Sequence, residues 1–312
     1  MSNIISLTKG FQKPSASPDP ERRIAPVPID RFNGSVHLSE QDLIAVEEPL
    51  QIRLNYQIDG IRTEKDVAIT MRTPGHDVDL AAGFLFSEGI LKDPQQILRV
   101  RQSCKISNGK GDCNRAVFEL KPGTDFDAKR LERHFYVSSS CGVCGKTSLE
   151  SVRSQVRFGL SPVSPNLESI VIRRLPETLR KAQSVFDKTG GLHAAALFDF
   201  SGNLLSVRED VGRHNGVDKL IGAEFLKGSL PLRETIMLLS GRASFELIQK
   251  ALMAGIPIVA AVGAPSSLAV EMAQSFGLTL IGFLRNDRFN VYSGAFRLGK
   301  MPNQVRTAGA GS

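Results

Sequence analysis

The sequence predicts an α/β protein with a larger domain on a largely parallel sheet, preceded by a smaller α+β domain. Three observations predict it. From Gly190 onward, continuous apolar runs alternate with helical stretches, the pattern of a sheet covered by helices on both faces. Between residues 46 and 121, strand-like runs surround one short helical stretch. Hydrophobic residues make up 41% of the 312 and charged residues 23%, which supports a substantial core and excludes a wholly disordered chain.

The elements follow in order. Residues 1–34 hold Pro14, Pro18, Pro20, Pro26 and Pro28 among Ser and Asp, and read as an extended, largely disordered tail. Residues 46–58 alternate in part through Ile52, Leu54, Tyr56 and Ile58, and a second strand-like run ends at Met71. Asp59-Gly60 between them signals a hairpin, because a tight turn of this type needs positive φ. Thr73-Pro74-Gly75 breaks the pattern, and Val78, Ala81, Ala82, Leu85 and Phe86 then share one face of a short helix ended by Gly89. Strands near 97–106 and 115–121 flank a polar loop from Ser107 to Asn114.

The small α+β domain is therefore expected over 35–137 and the main domain over 138–300, with a loose tail over 301–312. In the main domain, strand His193 to Asp199 turns at Ser201-Gly202-Asn203 into Leu204 to Arg208, and a helix runs from His214 to Phe225. Strand 235–239, helix 244–253, strand 256–262, helix 266–275 and strand 278–284 complete it. Ligands of such sheets bind beyond the carboxyl ends of the strands, where Gly241, Gly263 and Gly282 lie.

Composition narrows the function classes. The chain has 39 Lys and Arg against 32 Asp and Glu, a net charge of +7 that suits an anionic ligand and is too mild to mark a nucleic-acid protein. Trp is absent and aromatics are 6%, so platforms for stacking bases are few. No apolar run approaches the roughly 20 residues of a membrane span. The opening residues lack the apolar block and cleavage site of a signal peptide. A cytoplasmic protein without membrane or nucleic-acid partners is expected. Four cysteines make no disulfide framework at this length, so closely spaced cysteines point to chemistry or metal.

The most informative segment is Ser138-Ser139-Ser140-Cys141-Gly142-Val143-Cys144-Gly145-Lys146-Thr147. Two thiols at this spacing bind metal, cycle as a disulfide, or hold sulfur as a persulfide. A helix over Ser148 to Val156 would place them near its positive end, and Lys146 adds a second influence favouring thiolate. A Gly- and Ser-rich setting indicates an exposed loop rather than a buried, inert pair. The remaining cysteines, Cys104 and Cys113, have poor spacing for a four-thiolate zinc site, and no metal is expected. Gly145-Lys146-Thr147 imitates the end of a phosphate-binding loop, but its required glycine is Ser140. A zinc deaminase needs His-x-Glu and Pro-Cys-x-x-Cys, and both are missing. The thioredoxin pattern fails too, with no Trp before the first Cys and Val143 where Pro is usual.

Ser138 to Lys146 closely resembles the signature of the FdhD family, sulfur carrier proteins needed for formate dehydrogenase activity. Further agreement lies in Thr73 to Asp77, Gly83 to Leu85 with Ser87 to Gly89, Thr189 to Ala195, Arg208 to Asn215, Ser240 to Arg242 and Asn290 to Ser293, so the resemblance spans roughly residues 40–295. It implies a cytidine-deaminase-like three-layer main domain. It implies that a cysteine desulfurase loads Cys141 with sulfane sulfur, Cys144 assisting, and that the sulfur passes to the molybdenum of bis(molybdopterin guanine dinucleotide) destined for apo-formate dehydrogenase. It implies a homodimer. It marks Phe283, Leu284, Arg285, Asn286, Asp287 and Arg288 as the cofactor-contacting segment, with guanosine diphosphate as a partial mimic.

The residues themselves add that two pyrophosphates need anion sites. The turns Ser240 to Ser244 and Gly263 to Ser267 each join a strand to a helix and qualify. A non-catalytic chaperone whose cysteines ligate metal or cofactor remains the alternative. Among the histidines, His193 reads equally as core or functional, His214 as ligand contact or cap, and His76 as a neighbour of a helix start. Gly212 and Gly216 read as backbone devices.

Overall fold

The computed structural model describes residues 3–6, 20–58, 60–107, 110–124, 152, 156–160, 165–285 and 287–299. The first sheet has five strands in the order β1-β6-β7-β4-β5. These are β1 (Asn3–Ser6), β4 (Glu48–Ile58), β5 (Ile61–Arg72), β6 (Ile97–Ser107) and β7 (Lys110–Leu120). The expected hairpin is present: β4 and β5 pair from Glu48↔Arg72 to Ile58↔Ile61, and Gly60 takes φ +78° in the turn. The loop expected from Ser107 to Asn114 is instead mostly ladder, because β6 and β7 stay paired out to Ser107↔Lys110. Backbone hydrogen bonding sustains such an extension without an apolar face.

The tail expected over residues 1–34 is corrected at both ends: Asn3 to Ser6 pair antiparallel with β6 as β1, and the second half is ordered too. After a 3-10 turn at Pro20–Arg23, β2 (Ile24–Asn33) pairs antiparallel with β3 (Val36–Ala45) along its whole length. Pro26 and Pro28 have the same strand parity, so their missing N–H groups both fall on the free edge of a two-stranded sheet.

The main sheet has six strands in the order β13-β12-β11-β10-β8-β9. They are β8 (His193–Asp199), β9 (Leu204–Asp210), β10 (Thr235–Leu239), β11 (Ile258–Ala261), β12 (Thr279–Arg285) and β13 (Arg288–Ser293). Only β10 with β11 and β11 with β12 are parallel, so the expected largely parallel sheet is a mixed one. The reason is local: β8–β9 and β12–β13 are joined by short turns, and such a connection permits only antiparallel pairing.

Helices cover both faces. The helices are α1 (Asp77–Ser87), α2 (Ser169–Ala182), α3 (Phe186–Thr189), α4 (Arg213–Leu226), α5 (Phe245–Met253) and α6 (Ser267–Phe276). Ala195, Leu197, Met237, Leu239 and Val259 face one core with α1, α4, α5 and α6. The alternate residues Ala196, Phe198, Ile236, Leu238 and Ile258 face a second core with Ile172, Leu175 and Leu179 of α2. The first core also takes in Leu50, Ile52, Leu54 and Val67 of the five-stranded sheet, so the two sheets share one apolar interior through α1. The two helices touch backbone to backbone: a Cβ on Gly83 of α1 would lie 1.9 Å from the Asp218 carbonyl oxygen, and one on Gly222 of α4 1.9 Å from that of Asp79. The expected boundary at 137/138 lies outside the described residues. Among those residues, no helix is long and apolar enough to cross a membrane.

Candidate functional site

The carboxyl ends of β10, β11 and β12 are stitched into one floor. Ser240 N–H donates to the Ala194 carbonyl at 3.0 Å, and Ala194 N–H returns to Ser240 Oγ at 2.8 Å. Gly263 N–H donates to Gly241 O (2.9 Å), Ala243 N–H to Ala264 O (3.1 Å) and Phe283 N–H to Gly263 O (3.0 Å). This closeness requires Gly263, whose Cβ would come within 3.1 Å of Arg242 N. The turns Ser240 to Ser244 and Gly263 to Ser267 therefore lie side by side before α5 and α6. Ser266 Oγ accepts from Ala269 N–H and caps α6, whereas Ser244 makes no such cap on α5.

Beside this floor stands the β12–β13 tip, which holds the segment Phe283 to Arg288. Phe283 adopts φ +53° and is 41% exposed, which turns its ring out of the sheet edge. Leu284 is fully buried in the α2-side core, so in this segment it serves packing. Arg285 and Arg288 are exposed and sit opposite each other in register. Arg285 Nε donates to Val262 O at 3.3 Å. Asp287 contacts Arg173 of α2 at 3.8 Å, and neither Arg285 nor Arg288 has a carboxylate partner among the described residues. Asn286 lies outside the described residues, as do Cys141 and Cys144.

Histidines gather at the same end of the sheet because β8 runs antiparallel to β10, bringing its first residue to the end of β10. His193 Nδ1 lies 3.2 Å from where a Cβ on Gly241 would be, and its ring has no hydrogen-bond partner among the described residues. Burial, with Arg213 nearby, holds its pKa below the usual histidine value. His214 Nε2 lies 3.4 Å from Ser244 Oγ and 3.8 Å from Glu246 Oε2. The His214 ring beside Glu246 holds that carboxyl down to about 2, through a charge contact longer than a hydrogen bond. Glu246 is absent from the sequence expectations; its signal was Ser-x-Glu at the opening of α5. His76 precedes α1 with φ 57° and lies 3.3 Å from Asp79, the neighbour role expected.

Behind the site, residues of the resembling motifs lock the two sheets together. Lys219 and Asp210 form a fully buried ion pair at 2.6 Å. Asp210 also accepts from Thr73 N–H (3.1 Å), Gly212 N–H (2.8 Å) and Asn215 Nδ2 (3.0 Å). Fully buried Arg72 holds Asp77 with two hydrogen bonds of 3.0 Å. Arg208 pairs with Asp79 at 3.2 Å, and Lys250 with Asp218 at 2.8 Å. Burial lowers the pKa of Lys219 and raises that of Asp218. Gly212 is a close approach, since a Cβ there would lie 2.9 Å from Asn215 Nδ2, whereas one on Gly216 would have ordinary room at 3.7 Å. Among the described residues, no three His, Cys, Asp or Glu are grouped to hold a metal ion.

A model of the FdhD/NarQ family matches residues 45–299. The chain belongs to the FdhD/NarQ family. The family match takes in both large sheets except β1, and leaves out β2 and all but the last residue of β3. The chain is 51% identical over 272 residues to a sulfur carrier protein FdhD of Streptomyces avermitilis, covering 86% of this chain and 94% of that one. It is 46% identical over 280 residues to one of Nocardia farcinica, covering 90% and 96%. A solved structure of a candidate formate dehydrogenase accessory protein from Desulfotalea psychrophila superposes with a TM-score of 0.64. That pair shares 22% identity over 88% of this chain and 99% of the other, and speaks for the fold alone.

Proposed function

We propose that this chain is a sulfur carrier serving formate dehydrogenase, with Cys141 as the persulfide site and the molybdenum of bis(molybdopterin guanine dinucleotide) as the sulfur acceptor. One observation carries the reading: relatives about half identical over nearly their whole length are named sulfur carriers, and this chain holds Cys141-Gly142-Val143-Cys144. The chemistry is thiol exchange. Cys141 thiolate attacks the outer sulfur of a donor persulfide on a cysteine desulfurase; the donor S–S bond breaks and the donor leaves as thiolate. Cys144 thiolate then attacks Cys141 Sγ, forming a Cys141–Cys144 disulfide and releasing sulfide, so the pair supplies the two electrons. Sulfide replaces an oxo group of the substrate's molybdenum, which leaves as water after taking two protons.

The described residues support a seat for the substrate's nucleotide halves. Uncapped α5 and two exposed arginines without carboxylate partners supply anion sites, and the outward Phe283 ring supplies a stacking face. The strand order with β8 reversed supports the cytidine-deaminase-like layering. A cytoplasmic homodimer delivering to apo-formate dehydrogenase completes the reading. The test is mass spectrometry after incubation with a cysteine desulfurase and cysteine. A reductant-sensitive adduct of one sulfur atom on Cys141, lost in Cys141→Ala together with formate dehydrogenase activation, is expected. Full activation by Cys141→Ala in a deletion strain, or stoichiometric zinc lost with that substitution, would favour the binding-only chaperone.

A further inference from the structure

The five-stranded sheet has a second face, turned away from the shared core. Leu54 and Phe118 point into that core, so their neighbours Asn55 and Glu119 point to the other side. There they stand opposite each other across the parallel β4–β7 pair. Arg99 of β6 flanks Glu119 in register, and Arg62 of β5 faces the same side, opposite Gln57. Ile97 pairs with Leu120 and Arg99 with Glu119, so Leu98 is the extra residue of a bulge and its side chain is exposed. Asn55, Arg62, Leu98, Glu119, Leu120 and Pro122 are among the residues lining a cavity of about 80 Å³ at this end of the sheet.

Two features of the cavity ask for a ligand. Asn55 is only 3% exposed, and its side-chain oxygen has no hydrogen-bond partner among the described residues. Buried polar atoms in native folds are paired, so this one calls for a donor from outside the chain. One water needs about 10–15 Å³, a fraction of the cavity. Glu119, 8% exposed, is met by Arg62 at 2.8 Å, Arg99 at 2.5 Å and Arg101 at 3.7 Å. Three guanidiniums against one carboxylate leave a surplus of positive charge. The next carboxylate on this face, Glu64, is engaged by Arg53.

We infer that this cavity binds a small free α-amino acid. The exposed Arg62 guanidinium has N–H groups beyond the one on Glu119, and these take the ligand's carboxylate. The ligand's ammonium donates to Asn55 Oδ1 and to the Glu119 carboxylate, which stand side by side. Leu98, Leu120 and Pro122 take the short side chain. A simple anion would match the surplus charge but leave Asn55 Oδ1 unpaired. A simple cation would serve Asn55 but add to the surplus. A zwitterion answers both. This inference does not rest on the sulfur-carrier reading, and no cysteine takes part in it.

The experiment titrates the full chain with glycine, L-alanine and L-serine, by calorimetry and by ligand-observed nuclear magnetic resonance. The expected result is saturable binding of at least one of them at a single site per chain. That affinity should fall about ten- to a hundredfold in Arg62→Ala and in Asn55→Leu, and vanish in Leu98→Trp, which fills the cavity from an exposed position. Circular dichroism checks that each variant is folded, and the surface variants Arg62→Ala and Leu98→Trp decide the matter should Asn55→Leu fail to fold. N-acetyl-L-alanine and L-lactate lack the ammonium, and L-alaninamide lacks the carboxylate, so each should bind at least about tenfold more weakly than L-alanine. Cys141→Ala/Cys144→Ala should bind as the parent does. No saturable binding of any of the three amino acids, affinity unchanged in both Arg62→Ala and Leu98→Trp, or L-lactate binding as tightly as L-alanine would each overturn the inference.

Discussion

Replacing Lys219 by Met tests whether the Asp210 network locks the two sheets. The side chains of Lys219 and Asp210 are both fully buried, with Nζ 2.6 Å from Oδ2. Nζ also donates to the Thr73 carbonyl at 2.8 Å. Methionine fills similar volume, so little packing is lost. What remains is a buried carboxylate without its cation, and breaking a buried pair from one side costs about 3–5 kcal/mol. Asp210 keeps three N–H donors, from Thr73, Gly212 and Asn215, which places the loss near the low end, about 3 kcal/mol. The double variant Asp210→Asn/Lys219→Met removes the stranded charge, so it should be more stable than Lys219→Met by about 1–2 kcal/mol. Urea unfolding followed by circular dichroism and by intrinsic tyrosine fluorescence reads these values and checks for a single transition. A loss under about 1 kcal/mol in Lys219→Met, or a double variant no more stable than it, would refute the reasoning.

Three further predictions follow from the same contacts. Gly83→Ala would put a methyl group 1.9 Å from a backbone carbonyl of α4, so it should lower stability by about 3 kcal/mol or more. Gly216→Ala in α4, with 3.7 Å of room, should instead be neutral or stabilise by up to about 1 kcal/mol in thermal unfolding; equal losses would refute the packing account. The Glu246 carboxyl is held at about 2, below its ordinary 4.5, so its stabilising contact is complete above the unfolded value and is lost as pH falls from 4.5 toward 2. Glu246→Gln should therefore be less sensitive to acid in that window than the parent, and identical acid midpoints would remove the His214 contact as the cause. Arg285→Ala and Arg288→Ala should each weaken guanosine diphosphate binding by about ten- to a hundredfold in calorimetry while leaving persulfide loading of Cys141 intact. Unchanged affinity in both would leave the turns at Ser240 and Gly263 as the phosphate seat.

Much of the fold was written locally. The hairpin at Gly60, the helix beginning near Asp77 and the strand–helix alternation after Gly190 all follow from apolar period and turn residues, which act over a few neighbours. The errors came where pairing outranked composition. Pro26 and Pro28 argued for a tail, yet strand parity let both sit on a free edge. The polar residues after Ser107 argued for a loop, yet the ladder continued through them. The parallel sheet proved mixed because two short turns fixed the direction of β9 and β13.

The family was legible in the sequence, through motifs spread along the chain, and so was the singling out of Cys141 and Cys144, whose spacing alone leaves metal binding, disulfide cycling and persulfide chemistry open. The sequence also raised the expectation that anions bind at the strand ends. What the other motif residues do depends on contacts between distant parts of the chain. Asp77, Arg208, Asp210 and Asn215 stand in the resembling motifs without a role, and the fold makes them buried partners of Arg72, Asp79, Lys219 and the Met71 carbonyl. It likewise brought His193 beside Gly241, and Glu246 to His214, across 48 and 32 residues of sequence. The reason is physical: propensity and period record what a residue does to its neighbours along the chain. The cost of burying a charge is set by which distant group meets it there.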